Sequence, residues 1–90
     1  MKKILCLPWK FSSKMFQGED SLAETWLLDD LNGNIVGYVY FDNESKDYFY
    51  RGATKDASIH GHTNDPVQAK ATIERCIGVK IVNDRLKTLM

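Results

Sequence analysis

Glu24-Thr25-Trp26-Leu27-Leu28-Asp29-Asp30-Leu31-Asn32-Gly33-Asn34-Ile35-Val36-Gly37-Tyr38-Val39-Tyr40-Phe41 is the stretch that decides the fold. Two apolar runs flank an Asn-Gly pair, the strongest short signal for a β-hairpin. A type I′ turn needs positive φ at both central residues, and Asn32-Gly33 can supply it. On that reading Asp30 faces Ile35, Leu28 faces Gly37, Trp26 faces Val39 and Glu24 faces Phe41. Directly opposed residues share a face. One face then carries Trp26, Leu28, Ile35, Val39 and Phe41 and reads as core. The other carries Thr25, Leu27, Asp29, Val36, Tyr38 and Tyr40 and reads as amphipathic.

Downstream, Asp42-Asn43-Glu44-Ser45-Lys46 is a polar turn and Asp47–Ala53 a third strand. Phe49 is expected to join Phe41 in the core. Tyr48 and Tyr50 are then expected beside Tyr38 and Tyr40, because residues two apart on a strand share a face. The chain has four tyrosines, and this register gathers all of them on one side. Ala57–His62 reads as a short fourth strand or a loop. Asp65 can cap a helix with Pro66 at its first position, and Gly78 can end it. Ala69, Ile73, Cys76 and Ile77 form one apolar stripe at helical spacing, predicted to seat against Trp26, Val39, Phe41 and Phe49. Val79–Val82 is a short apolar strand or extended piece, and Asn83 or Asp84 can cap a last helical turn over 85–90.

Upstream, Lys3–Phe11 reads as a strand that Pro8 confines to a sheet edge or a bulge. Ser12–Ser21 reads as a loop whose Met15 and Phe16 tuck into the core. The predicted fold class is α+β: an antiparallel three- to five-stranded sheet with one main helix packed on one face.

The 90 residues suit a single domain, 1–90, and a hydrophobic share of 43% suits a folded one. Twelve basic residues against twelve acidic leave no net charge, which argues against a duplex-DNA binder. The apolar run after Met1-Lys2-Lys3 is shorter than the ~7–15 residues of a secretory leader, and no stretch reaches the ~18 of a membrane span. A cytoplasmic location is expected, with Cys6 and Cys76 as two reduced, buried thiols.

No phosphate loop, nucleophile elbow, Cys-x-x-Cys pair or zincin pattern is present, so no enzyme and no cofactor are expected. His60-Gly61-His62 has a spacing that can hold zinc, but a site needs three or four ligands, so a surface loop with two histidines is preferred and no metal is expected. The tyrosines remain the candidate contact surface: Tyr38, Tyr40, Tyr48 and Tyr50, with Asp29 and Asp42 at the edge. Tyrosine supplies a large, stiff, amphipathic contact. Bases can also stack on such a face, but single-strand binders add a positive groove, and the charges here are mostly acidic. Acidic residues beside aromatic ones suit a basic, nucleic-acid-handling protein as partner.

The run Trp26…Gly33-Asn34-Ile35-Val36-Gly37-Tyr38-Val39, then Tyr48-Phe49-Tyr50, then Ala69-Lys70-Ala71-Thr72-Ile73-Glu74 resembles the layout of many small orphan proteins of phages and prophages. The resemblance covers roughly Thr25 to Gly78, is generic in pattern and carries over no functional residue. It implies a stand-alone protein of the bacterial host cytoplasm that binds and blocks one host protein. The function expected is therefore non-catalytic protein binding, as a phage-type inhibitor or modulator. The alternatives are a single-stranded nucleic-acid binder using the same face and a structural homo-oligomer, with a homodimer as its simplest form.

Overall fold

A computed structural model describes residues 3–12 and 24–82. Met15, Phe16 and the helical turn expected over 85–90 lie outside the described residues. Among the described residues eight elements follow one another: β1 (Ile4–Cys6), β2 (Lys10–Ser12), β3 (Thr25–Asp29), β4 (Ile35–Asp42), β5 (Asp47–Ala53), β6 (Ser58–Thr63), α1 (Pro66–Ile77) and β7 (Val79–Ile81). Strands β2 to β6 form a five-stranded antiparallel sheet in chain order, and α1 packs across β4, β5 and β6. This is the expected α+β fold.

The Lys3–Phe11 segment is two strands rather than one. Pro8 lies in the break between them, where a residue without an N–H takes nothing from the ladder. β1 pairs in parallel with β7, Ile4 opposite Val79 and Cys6 opposite Ile81. Cys6 also bridges to Asp30, which ties this pair to the end of β3.

The β3–β4 hairpin keeps the expected register from Trp26 opposite Val39 to Leu28 opposite Gly37, but its turn differs. Gly33 adopts φ +87°, while Asn32 keeps an ordinary negative φ. The Gly33 N–H donates to Asp30 O at 3.1 Å and the Asp30 N–H to Asn34 O at 2.9 Å. The loop is therefore Leu31-Asn32-Gly33, with one left-handed glycine in place of a type I′ pair. The Asp30 carboxylate accepts the N–H groups of Asn32 and Asn34, both at 2.9 Å, and these bonds hold it below the usual carboxylate range. The odd loop length leaves Val36 as a bulge, and Asp29, not Asp30, faces Ile35. The bulge swaps the predicted pair: Ile35 is exposed, and Val36 packs against the core.

Helix α1 begins and ends where the sequence places it. Asp65 accepts the Val67 N–H at 2.9 Å, Pro66 opens the first turn, and Gly78 closes the helix at φ 72°, its N–H on Glu74 O. Ala69, Ile73 and Ile77 are buried against Leu28, Val39, Cys6 and Val79. Cys76 is exposed, against expectation. It directly precedes Ile77, so its position on the helix is turned about 100° from that buried residue.

The seat for Ile73 is a dent in the sheet. Gly37 and Gly52 are cross-strand partners, and a Cβ added at Gly52 would lie 2.7 Å from Ile73 Cγ2, at Gly37 3.0 Å from the same atom. Two further contacts join α1 to the β1–β2 break and to β3. The Trp9 indole N–H donates to Glu74 Oε2 at 2.8 Å, and the Lys70 ammonium sits 4.5 Å from the Trp26 ring centre. Burial holds the Lys70 pKa below its ordinary value.

Gly52→Ala is expected to destabilise the protein by about 1–3 kcal/mol, the range for an overpacked core, as read from urea unfolding. Adding Ile73→Leu, which removes the Cγ2 branch, should return part of that loss. The thiols should differ equally plainly. Burial, with Asp30 and Asp29 nearby, raises the Cys6 pKa to about 11. A thiol reagent at pH 8 should therefore modify Cys76 in the native protein and reach Cys6 only on unfolding. Because folding keeps Cys6 protonated, its contribution to stability holds below the ordinary thiol value of 9.0 and is lost as the pH rises through about 11. Cys6→Ala should flatten that alkaline decline in a pH series of unfolding midpoints.

Candidate protein-binding surface

The loop between β4 and β5 decides which aromatic rings reach the face opposite the helix. Asp42 pairs with Asp47 across a four-residue loop, Asn43–Lys46. The Lys46 N–H donates to Asp42 O at 2.8 Å, Lys46 takes φ 61°, and the Asp42 side chain accepts the Glu44 N–H at 2.9 Å. Pairing then runs Phe41 with Tyr48, Tyr40 with Phe49, Val39 with Tyr50 and Tyr38 with Arg51.

The four tyrosines are thus split between the two faces. Tyr38 and Tyr40 lie on the outer face, as expected. Tyr48 and Tyr50 share the helix-side face with Phe41 and Val39 and pack against the core. Phe49 points outward. The expected register is one residue out at this hairpin, and a one-residue slip moves every side chain of β5 to the other face. Tyr48 donates its phenol proton to Glu24 Oε2 at 2.8 Å and its ring lies 5.9 Å from Trp26. Tyr50 covers Gly61, where an added Cβ would come within 2.7 Å of its hydroxyl.

On the outer face Phe49 is the hub of five rings. Its centroid lies 5.5 Å from Tyr40, 6.2 Å from Tyr38, 5.3 Å from His62 and 6.5 Å from His60. Tyr38 and Tyr40 stack at 6.1 Å. The pattern follows from pairing: Tyr40 and His62 are the direct cross-strand partners of Phe49, and Tyr38 and His60 are its diagonal neighbours. His60 and His62, for which the sequence leaves a short strand or a loop open and the surface loop is preferred, sit on strand β6 and are exposed. On β3 the residues opposite these tyrosines, Thr25 and Leu27, are buried, so the accessible part of the face runs from the tyrosines toward β6.

The two carboxylates expected at the edge are placed differently. Asp42 is beside Tyr40, and burial, then Asp42, then Tyr38 raise the Tyr40 phenol pKa. Asp29 lies on β3 against Lys10, with Nζ at 3.8 Å from Oδ2, while its Oδ1 is buried and unpaired. It also borders a cavity of about 290 Å³ formed with Leu7, Pro8, Trp9 and Lys10 at the β1–β2 break, away from the five rings.

Asp47 is the carboxylate that joins the patch. Its Oδ1 accepts the Ser45 hydroxyl at 2.5 Å and meets His62 Nδ1 at 2.9 Å, and these two bonds lower its pKa. Ser45, His62 and Asp47 are residue types of a hydrolase triad in another arrangement. The hydroxyl and the imidazole share one carboxylate oxygen, and the Ser45 oxygen stands 3.5 Å from Nδ1. A serine nucleophile needs its base nitrogen on the far side of the ring from the carboxylate. Here the cluster fastens the β4–β5 loop to β6.

No protein family, curated protein or solved structure matches this chain. Among the described residues no helix is long and apolar enough to cross a membrane.

An absorbance titration of the phenols tests this placement. Tyr40 and Tyr48 are expected to ionise above the ordinary tyrosine value, Tyr48 chiefly because Glu24 accepts its proton. Glu24→Gln should return Tyr48 toward that value and leave Tyr40 late. A late Tyr48 that ignores Glu24 would contradict the bond between them.

Proposed function

We propose that the protein is a non-catalytic binding module that engages another protein through the outer face of β4, β5 and β6. The observation that carries this reading is the ring cluster around Phe49. A phenyl side chain has no polar atom to satisfy in water, and on this face it lies outside the core that α1 covers. Aromatic groups of this kind supply most of the energy at protein interfaces, usually from a few central residues. Phe49 would be the anchor. Tyr38 and Tyr40 would add area and phenol hydrogen bonds.

Charge supports a partner with a basic segment. Asp42, Glu44 and Asp47 gather at the β4–β5 loop beside Tyr40, where Lys46 is the one cation. Such carboxylates steer association and make it salt-sensitive more than they add affinity. A phage-type inhibitor of one host protein is the specific form of the proposal, resting on the layout of Thr25 to Gly78. Single-strand nucleic-acid binding has less support, because Arg51 is the only Arg or Lys in β4, β5 and β6.

Tagged protein captured on resin from nuclease-treated bacterial lysate tests the reading. One stoichiometric protein is expected with the natural sequence and should be lost with Phe49→Ala combined with Tyr40→Ala, under conditions where circular dichroism shows the fold intact. Tyr50→Ala should lower the melting temperature and leave capture in place. A captured protein that persists with the double variant would refute this face as the contact surface.

A further inference from the structure

We propose that His60 and His62 form half of a zinc site, completed by the same two histidines of a second copy of the chain joined edge to edge along β6. This goes beyond protein binding by the Phe49 face and does not depend on it.

Among the described residues strand β6 is an edge of the five-stranded sheet, with β5 its one neighbour. Edges of this kind are commonly blunted by proline, lysine or a bulge. Ser58-Ile59-His60-Gly61-His62-Thr63 has no proline or lysine and pairs with β5 without a register shift. The edge therefore presents alternate backbone N–H and C=O groups to a further strand.

His60 and His62 are exposed and stand on the same face, about 6–7 Å apart along the strand. His62 is already oriented as metal-binding histidines usually are. Its Nδ1 side is held by the Asp47 carboxylate at 2.9 Å, and that carboxylate is itself fixed by Ser45. Nδ1–H donating to Asp47 leaves the lone pair on Nε2, directed away from this contact. Carboxylate–histidine pairs of this form set the tautomer and raise the basicity of zinc ligands.

The described residues of one chain do not finish the site. Among the described residues no three His, Cys, Asp or Glu side chains gather as a metal-binding group. Zinc takes four ligands, or three and water, with nitrogen at about 2.0–2.1 Å. An antiparallel two-fold pairing of β6 centred on Gly61 places His60 opposite His62 of the second copy, and the reverse. Directly opposed side chains stand about 5 Å apart at Cβ. Four imidazoles then share one face of a continuous sheet around a single position.

Sedimentation equilibrium of the full chain, first with EDTA and then with zinc chloride, tests the proposal alongside the bound-zinc content. A monomer in EDTA and a dimer with one zinc per two chains are expected. His60→Ala and His62→Ala should each abolish the dimer while circular dichroism is unchanged. Cys76→Ser should retain it, which separates the histidines from the exposed thiol. Asp47→Asn should weaken zinc binding roughly 10–100-fold, the usual effect of losing such a supporting carboxylate. A mass unaffected by zinc, a dimer equally present in EDTA, one zinc per chain without dimerisation, or a zinc dimer that survives His60→Ala would each overturn it.

Discussion

The contact on which the rest of this molecule depends is Ile73 against the backbone of Gly37 and Gly52. A helix lies close to a sheet only where the strands lack side chains beneath it, and these two glycines are opposite one another on the two strands α1 crosses nearest its middle. Ile73, Leu28 and Val39 are fully buried there. Each such aliphatic side chain contributes about 1.5–3 kcal/mol by leaving water. The seat also fixes the course of α1. The helix leaves the dent, stops at Gly78 and delivers Val79 beside Ile4, so both ends of the described chain meet at one edge.

The same seat accommodates the division of the aromatic residues that the β4–β5 register sets. With Ile73 seated over Gly52, the larger rings of β5 follow to one side of it on the same face: Tyr50 over Gly61, then Tyr48 beside Trp26. A tyrosine suits this margin, because its ring adds to the core while its hydroxyl reaches a polar group, as Tyr48 reaches Glu24. Phenylalanine has no such handle, yet Phe49 is the ring turned to the outer face. In the isolated chain that choice gains little for the core, which is why Phe49 rather than a tyrosine argues for a contact made elsewhere.

Local chemistry was the legible part of the sequence. Asp65, Pro66 and Gly78 bound the helix as their capping roles predict, since each acts on backbone groups within a few residues. The Asn-Gly pair located the first hairpin, although Gly33 alone takes positive φ and a bulge exchanges Ile35 and Val36. The second hairpin departs from the expected register by one residue, because a polar loop does not disclose its own length and each added residue inverts the following strand. A sign was present in Arg51. Placing Phe49 in the core also places Arg51 there, two residues on, with no carboxylate on α1 assigned to meet it. The pairing of β1 with β7 joins opposite ends of the chain and has no local signature. The histidines were legible as a spacing, and the sequence left strand and loop both open for them, because Ser58–Thr63 has little apolar content and is held by β5 and α1.

Phe49 also connects the two proposed activities. Its ring touches His60 and His62 on one side and Tyr38 and Tyr40 on the other. A partner seated on the tyrosines and a metal held by the histidines would share that ring. Binding free energies are reciprocal, so zinc would change the affinity for the partner by the same factor as the partner changes the affinity for zinc. The sign depends on geometry at the joined edge. Two chains paired along β6 bring two Phe49 clusters onto one continuous face, which favours a partner long enough to span both and gains from a high effective concentration. A partner that must reach over the β6 edge would instead compete with the second copy. The length of the partner's contact segment, rather than its composition alone, therefore determines whether metal promotes or opposes binding.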